Sequence, residues 1–479
     1  MPNFISEDNI EQAIVQKLVK DYGYRAINCY TENPDDLNDN SGRTDKREVI
    51  FHDRLKAAAL RLNLDLPEAA VDLALSKLTD LRGAMTTIAA NREIDTLIRD
   101  GIPVQYEGKD GRSEHGRVRV VDFSSSQAED KNEYLVVTQL WVRGLTRYRR
   151  PDVLIYVNGL PLVFIEIKNS KVSVQAAYDD NLTNYKQDIP RLFHYNAFCI
   201  LTNALDTRVG SFNSDWEHLF VWLRPDDETE KIDREAIEEQ GISIERALAG
   251  LFPHERLRDY IENFILFYNE TEKVIAQNHQ FIGVNKGFKV FAERQNQKED
   301  SKGKLGVYWH TQGSGKSFSM IFYARKIWRK MTGNFTFLVV TDRDDLDGPI
   351  YRNFLNTETV KKNEAARPKD SEELRNFLTQ NKRIVFTLLQ KFRYDKGKKY
   401  PILSKRDDII VIVDEAHRTQ YKSLAENMRA GLPNAQYLAF TATPLLGKDR
   451  KTNQWFGDYV SEYNFPQSTD DGATVPLFY

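Results

Sequence analysis

The spacing of apolar and polar residues changes character along the chain. Up to about residue 210, helical periodicities alternate with paired β-runs such as EYLVVTQLWV, DVLIYV and LVFIEI. From about residue 305 the pattern becomes single short apolar runs, GVYWH, FTFLVV, RIVFTLL, IIVIVDEAH and QYLAFTATP, each separated by a long helical or loop segment. Paired runs predict hairpins in a mixed sheet, whereas isolated runs with long crossovers predict a parallel α/β sheet. Between the two lie an acidic stretch, DDETEKIDREAIEEQ, and an amphipathic helical pattern from about Glu255 to Gln277. A boundary is therefore expected near residue 258, giving domains over 1–258 and 259–462, with 463–479 opening a linker. The polar stretches ENPDDLNDNSGRTDK, YEGKDGRSEHG and ERQNQKEDSKGK are expected as surface loops.

Composition narrows the class without naming a chemistry. The chain has 479 residues, too many for one core, and its 41% hydrophobic and 29% charged content is that of an ordinary globular protein. No apolar run approaches the roughly 20 residues needed to span a bilayer. The opening MPNFISEDNIEQA lacks the basic-then-apolar pattern of a secretory signal. A cytoplasmic protein is expected, with no membrane partner. The two cysteines, Cys29 and Cys199, are too few for a disulfide framework or a cysteine metal site and are read as packing residues. With a net charge of −3, any nucleic-acid contact must come from local basic surface.

The most specific motif is TQGSGKS, Thr311 to Ser317, after one apolar run and before the helical pattern SFSMIFYARKIWRK. Strand, glycine-rich turn and helix form the context of a phosphate-binding loop. Gly313 and Gly315 let backbone N–H groups turn inward, with Gln312 and Ser314 between them. Lys316 reaches the β/γ-phosphates, and Ser317 is placed to hold Mg²⁺. The general pattern asks for glycine where this chain has His310. Asp414 and Glu415 close a later apolar run, where the first would hold the nucleotide's metal and the second would orient or deprotonate the attacking water. His417 would couple that site to neighbouring loops, and the hydroxyls of Thr441 and Thr443 in TATP would link hydrolysis to movement. Gln280 lies upstream, and in superfamily 2 motors, which the order GSGKS, DEAH and TATP resembles, a residue at roughly that place often reads adenine.

A second constellation is RRPDVLIYVNGLPLVFIEIKNS. Two apolar runs flank Asn158-Gly159, a hairpin signal, and period-two alternation puts Glu166 and Lys168 on one face. Buried unpaired charge is costly, so Asp152 and Glu166 call for a shared divalent cation. A two-residue turn would pair Asp152 with Ile165 and turn Glu166 away, so an odd loop of three or five residues centred on Gly159 is expected, and a two-residue loop with no compensating bulge would count against the metal site. Arg143, Arg147, Arg149 and Arg150, interleaved with Tyr148, suit a phosphate backbone; a solvated basic loop has equal weight.

These residues carry two resemblances. GSGKS, DEAH and TATP in this order resemble the first RecA-like lobe of superfamily 2 helicases, and DRDDLD (342–347) and TLLQKF (387–392) resemble that family's intermediate motifs. PD followed by ExK resembles the PD-(D/E)xK nucleases. NLTNYKQDIPRLFHYNAF resembles the segment carrying QxxxY in RecB-like members, with Asn181 in place of glutamine and Tyr185 matching. Glu11, on the first helical pattern, is the position from which similar nucleases add an acid.

The order of the two modules, with RRPD, NGLPLVFIEIKNS, IPRLFHYNAF, VYWHTQGSGKS and DEAHRTQ, resembles the motor subunits of type I restriction enzymes across nearly the whole chain. That resemblance implies an ATP- and Mg²⁺-dependent subunit that translocates double-stranded DNA and cleaves it remote from the recognition site. It also implies methyltransferase and specificity subunits as partners. Superfamily 2 ATPases complete their site with arginines from a second lobe, so a chain ending soon after TATP is expected to be a fragment with little ATP turnover alone. Two alternatives stay open: a standalone repair-type helicase-nuclease, or a DNA-binding module on an ATPase.

Overall fold

The computed structural model describes residues 4–108, 110–124, 130–295, 303–342, 344–380, 382–394, 400–414, 421–443 and 455–472. It divides into two compact units, the first formed by residues 1–225 and 232–275, the second by 226–231 and 276–479.

The first unit is built on a seven-stranded mixed sheet. Its strands follow chain order: β1 (Arg25–Asn28), β2 (Tyr134–Thr138), β3 (Val153–Val157), β4 (Leu160–Ile167), β5 (Phe198–Thr202), β6 (Thr207–Gly210) and β7 (Phe220–Val221). The β1–β2 and β4–β5 pairs are parallel and the others antiparallel. Every residue of β2, β3, β4 and β5 is buried, so charges on these strands lie in a low-dielectric interior. Helix α1 (Glu7–Tyr22) packs through Ile10, Ile14 and Leu18; Ser6 caps its start and left-handed Gly23 ends it.

Two loop expectations are corrected here. The β3–β4 turn has two residues, Asn158 and Gly159, both at positive φ (52° and 81°) as a type I′ turn requires, so the odd-length loop is absent. A bulge restores the phase. Tyr156 pairs with Pro161 and Ile155 with Val163, leaving Leu162 as the extra residue, and the ladder continues to Val153 opposite Ile165. One step further, Asp152 comes opposite Glu166. The second correction concerns the polar stretch 32–46, which does not simply lie on the surface. Asp39, Ser41, Arg43 and Lys46 are buried, and the Asp39 carboxylate accepts from Arg43 at 2.8 Å and Lys46 at 2.7 Å. These cations hold its pKa down at about 2 against the cost of burial.

The boundary also moves. The pattern from Glu255 to Gln277 is not one helix: α2 (His254–Asn263) is followed by a hairpin of Ile265–Tyr268 and Glu272–Ile275. Both elements stay in the first unit. Tyr260 packs edge-on to Phe198 at 5.2 Å, and the buried Lys273 amine donates to the Asn91 side chain at 2.9 Å. Apolar burial thus carries the unit on to residue 275 rather than ending it near 258.

The second unit contains a seven-stranded sheet in which all pairs are parallel. Its strands are β8 (Lys304–His310), β9 (Thr336–Thr341), β10 (Ala365–Ala366), β11 (Ile384–Leu388), β12 (Ile409–Asp414), β13 (Gln436–Thr441) and β14 (Tyr459–Tyr463). They lie in the order β10-β11-β9-β12-β13-β8-β14. Leu338, Val385, Val411, Leu374 and Phe392 form part of one core cluster in this unit. Helices α3 (Asn278–Gln295) and α4 (Lys316–Lys330) flank β8 in sequence. Part of the expected linker is ordered as a short helix, Phe465–Asp470, closed by a capping box between Asn464 and Gln467. Among the described residues, no helix is long and apolar enough to cross a membrane.

Candidate functional sites

In the first unit, β3 and β4 bring the two sequence-predicted acids together. The Asp152 carboxylate accepts from the backbone N–H of Ile167 at 2.8 Å, which ties the start of one strand to the end of the other. Glu166 is buried, at 1% exposure. One of its oxygens accepts from the Asn181 amide; the other, Oε2, is buried with no hydrogen-bond partner among the described residues. Burial pushes the Asp152 carboxyl up to about 6, and Lys168 and Arg150 pull against that rise. Burial also pushes Glu166 well above the usual carboxylate range, and the Asp152 charge adds to it. An orphaned buried oxygen beside a second desolvated acid is a donor set that a divalent cation would satisfy. Among the described residues no group of three or more His, Cys, Asp or Glu forms a full ligand set. The remaining positions would fall to water and phosphate oxygens, as Mg²⁺ commonly takes them.

The supporting residues converge on this pair. Asn181 lies in a wide π-type turn, Ala177–Leu182, that runs directly into helix Thr183–Asp188 bearing Tyr185. Tyr185 is buried, its hydroxyl donates to the Arg150 carbonyl at 3.2 Å, and the Arg149 guanidinium lies 5.5 Å from its ring centre. Arg149 also pairs with Asp188. Glu11, on α1, accepts from the Gln139 amide; burial raises its pKa, and the Asp152 charge contributes. A cleft of about 310 Å³ opens beside Glu11, lined also by Gln12, Asn28 and Thr138. Sequence reasoning missed Glu7, whose charge reaches both acids. It also missed Gln139, a non-glycine residue at φ 57° whose N–H donates to the Asp152 carbonyl at 3.0 Å. Neither stands in a motif that would have flagged it.

In the second unit the chemistry gathers at the carboxyl ends of parallel strands, where open α/β sheets bind ligands. The loop from Thr311 to Ser317 leaves β8 and enters α4, with Gly313 and Gly315 at φ 84° and 75°. The Lys316 amine bridges the carbonyls of His310 and Thr311, each at 3.2 Å, so it already lies along the loop. Ser314 is buried, while Gln312 is exposed. Gln280, on α3, directs its amide onto the loop, donating to the Gly315 carbonyl at 3.0 Å and accepting from the Gln277 N–H at 2.8 Å. His279 meets the Ser314 carbonyl at 2.8 Å.

His310, at the position where the general pattern has glycine, is fully buried and bonds Ser461 of β14 at 2.7 Å. Burial holds its imidazole well below its ordinary pKa, so it serves as a neutral strap between two strands. Asp414 ends β12 and Thr441 ends β13, the two strands before β8 in the sheet order. The Thr441 hydroxyl donates to the Thr443 carbonyl at 3.1 Å and closes the turn after β13. Gln390 donates to Asp342, which joins the two intermediate motifs. Glu415 and His417 lie outside the described residues.

Comparison with known proteins agrees with this two-part anatomy. Residues 4–218 match the family described as the type I restriction enzyme R protein N terminus, and residues 279–479 match the SWI2/SNF2 ATPase family. The type I restriction enzyme HindI endonuclease subunit of Haemophilus influenzae is 35% identical over 502 residues, covering 99% of this chain and 46% of that protein. The SauCOLORF180P endonuclease subunit of Staphylococcus aureus is 26% identical, covering 79% of this chain and 39% of its own length. The chain thus spans about half the length, or less, of these curated relatives. Among solved structures, the SWI2/SNF2 ATPase core of Sulfolobus solfataricus in complex with dsDNA covers 38% of this chain and 39% of its own at a TM-score of 0.28 and 16% identity, too slight a likeness to argue from. The two matched regions, in this order on one chain, make it a member of the type I restriction enzyme R-subunit family.

Proposed function

We propose that the first unit is a PD-(D/E)xK nuclease and the second the first RecA-like lobe of a superfamily 2 motor. Together they would serve a type I restriction enzyme that translocates double-stranded DNA with ATP and cuts it remote from the recognition site. Methyltransferase and specificity subunits would be the partners. The observation that carries this reading is the pairing of Asp152 with Glu166, whose second oxygen is buried and unsatisfied.

The division of labour follows from position. Asp152 and Glu166 hold Mg²⁺, which would supply Lewis acidity toward the scissile phosphate. Asn181 fixes the rotamer of Glu166, and Lys168 sets a positive charge where negative charge develops. Arg149 and Arg150 approach the backbone phosphates, with Tyr185 positioned beneath them. Glu11 adds negative charge at the edge of the same site.

In the second unit Lys316 exchanges its loop carbonyls for the β/γ-phosphates of ATP, within the backbone N–H groups of residues 311–317. Ser317 and Asp414 hold the nucleotide's Mg²⁺, and Glu415 orients the attacking water. Gln280 shapes the loop from behind, and His417, Thr441 and Thr443 transmit the nucleotide state.

The deciding experiment uses the enzyme assembled with its modification and specificity subunits. Lys316→Ala is expected to stop ATP hydrolysis and therefore cleavage, whereas Glu166→Ala spares ATP hydrolysis and stops cleavage. Loss of ATPase in both variants would overturn the division.

A further inference from the structure

The hairpin formed by Val142–Arg143 and Tyr148–Arg149 carries at its tip a fully exposed leucine, Leu145, at 100% exposure. A single exposed leucine is ordinary on a protein surface, and what sets this one apart is how firmly its support is held. The turn is closed by the Gly144 N–H to the Arg147 carbonyl at 2.8 Å. On one side the buried 39–46 network reaches the hairpin. Arg43 donates to the Trp141 carbonyl at 2.9 Å, the Arg143 N–H donates to the Lys46 carbonyl at 2.9 Å, and the Trp141 indole donates to the Thr31 carbonyl at 3.1 Å. On the other side Arg149 pairs with Asp188, and Gly144 approaches the Asp188 carbonyl so closely that a Cβ would overlap it. Buried charge has been spent on fixing a protrusion that ends in an apolar side chain.

The surroundings of Leu145 indicate what it meets. Arg143, Thr146 and Arg147 beside it are all exposed, and Arg143 lies 4.0 Å from the exposed Asp35 carboxylate, which a phosphate would replace as its partner. Further down, the Arg150 guanidinium lies between the rings of Trp141, at 4.9 Å, and Tyr30, at 5.3 Å, and Tyr30 is 56% exposed. A protein partner would have to desolvate two arginines to cover one leucine. A duplex satisfies both chemistries, because its phosphates take the guanidinium groups and the space between two base pairs takes the aliphatic wedge. Leu145 precedes Asp152 by seven residues, so even an extended chain keeps them within about 23 Å. That span is about seven base-pair steps.

We propose that this hairpin is a wedge that inserts Leu145 between base pairs of double-stranded DNA within about seven steps of the phosphate to be cut, with Arg143 and Arg147 gripping the flanking phosphates. The inference rests on the reading of Asp152 and Glu166 as a DNA-cutting pair and deepens it: the duplex is locally unstacked before cleavage.

The test uses the full 479-residue chain, held in EDTA to prevent cutting, and short duplexes with 2-aminopurine placed at successive positions. Binding should raise fluorescence severalfold at one or two adjacent positions. Leu145→Ala should abolish the rise while duplex affinity, carried by the arginines, stays within about threefold; Leu145→Phe should restore it. Since Leu145 is fully exposed, neither variant should shift thermal unfolding. A chain that binds duplexes yet gives no rise at any position, or a rise that survives Leu145→Ala, would overturn the wedge alone. Failure of the chain to bind duplexes would overturn the wedge, and absence of Mg²⁺-dependent cutting by the enzyme assembled with its modification and specificity subunits would overturn the nuclease reading as well. Loss of assembly with the partner subunits in Leu145→Ala, with the fluorescence rise intact, would make the residue a protein contact and defeat the proposal.

Discussion

In the first unit the reactive groups sit at the ends of buried strands, and in the second they sit in the turns that follow strands. This difference sets what each site depends on. Asp152 and Glu166 face one another only because the strand register says so, and their raised pKa values come from the interior around them. The loop from Thr311 to Ser317 depends instead on backbone angles that two glycines allow. A strand-borne site is therefore fragile to a shift of phase, and a turn-borne site to an added Cβ.

The largest expected effect follows from phase. Inserting one residue between Val163 and Phe164, beyond the bulge, shifts the rest of β4 by one position and turns Glu166 to the opposite face, so Mg²⁺-dependent cleavage should fall below detection while ATP binding by the second unit persists. Isothermal titration with both ligands measures this. ATP binding lost together with cleavage would show that the two sites do not fail separately.

Next in size is Asp39→Ala, which leaves the Arg43 and Lys46 charges buried without their partner. A destabilisation of about 3–5 kcal/mol is expected, read as a lower melting transition for the first unit. The sign with pH follows from the lowered Asp39 pKa. Its stabilisation is fully present above the ordinary carboxylate value and is lost as pH falls toward about 2. The wild-type chain should therefore lose more stability than Asp39→Ala between pH 4 and pH 2.

A smaller loss is expected for Asn181→Ala. Removing the group that orients Glu166 should weaken Mg²⁺ dependence of cleavage by about 10–100-fold. Asn181→Gln, which recreates the residue of the QxxxY pattern, should lose less. Equal losses for both variants would mean that the amide does not orient the acid.

The smallest is Gly315→Ala, where a left-handed φ and the nearby Gln280 amide both oppose a side chain. A cost of about 1–2 kcal/mol should appear as weaker nucleotide binding, with cleavage restored at saturating ATP. Fluorescent-nucleotide titration would detect it; unchanged affinity would mean that the loop rearranges freely.

Much of this was readable from residues alone, for identifiable reasons. The isolated apolar runs after residue 305 are strands of the parallel sheet, because burial on both faces leaves a continuous apolar signature. Glu166 and Lys168 alternate with Ile167 at the end of β4 because strand period is two. An odd-length loop was expected where the chain uses a two-residue turn with a compensating bulge, and Pro161 could have signalled that choice. Proline in a strand paired on both sides is tolerated mainly at irregularities. Burial of Asp39 escaped as well, since a run of short polar residues looks the same whether solvated or folded around its own cations. Gln139 meets Glu11 only through the fold, from more than a hundred positions away.

The six residues 226–231 belong to the second unit although the chain on both sides of them belongs to the first. An expression boundary for the first unit is therefore not a matter of stopping early. Ending a gene at residue 225 or 258 would discard Tyr260 and Lys273, which the first unit holds in its interior. A usable excised piece must run to residue 275 and carry the six-residue detour as a tethered excursion.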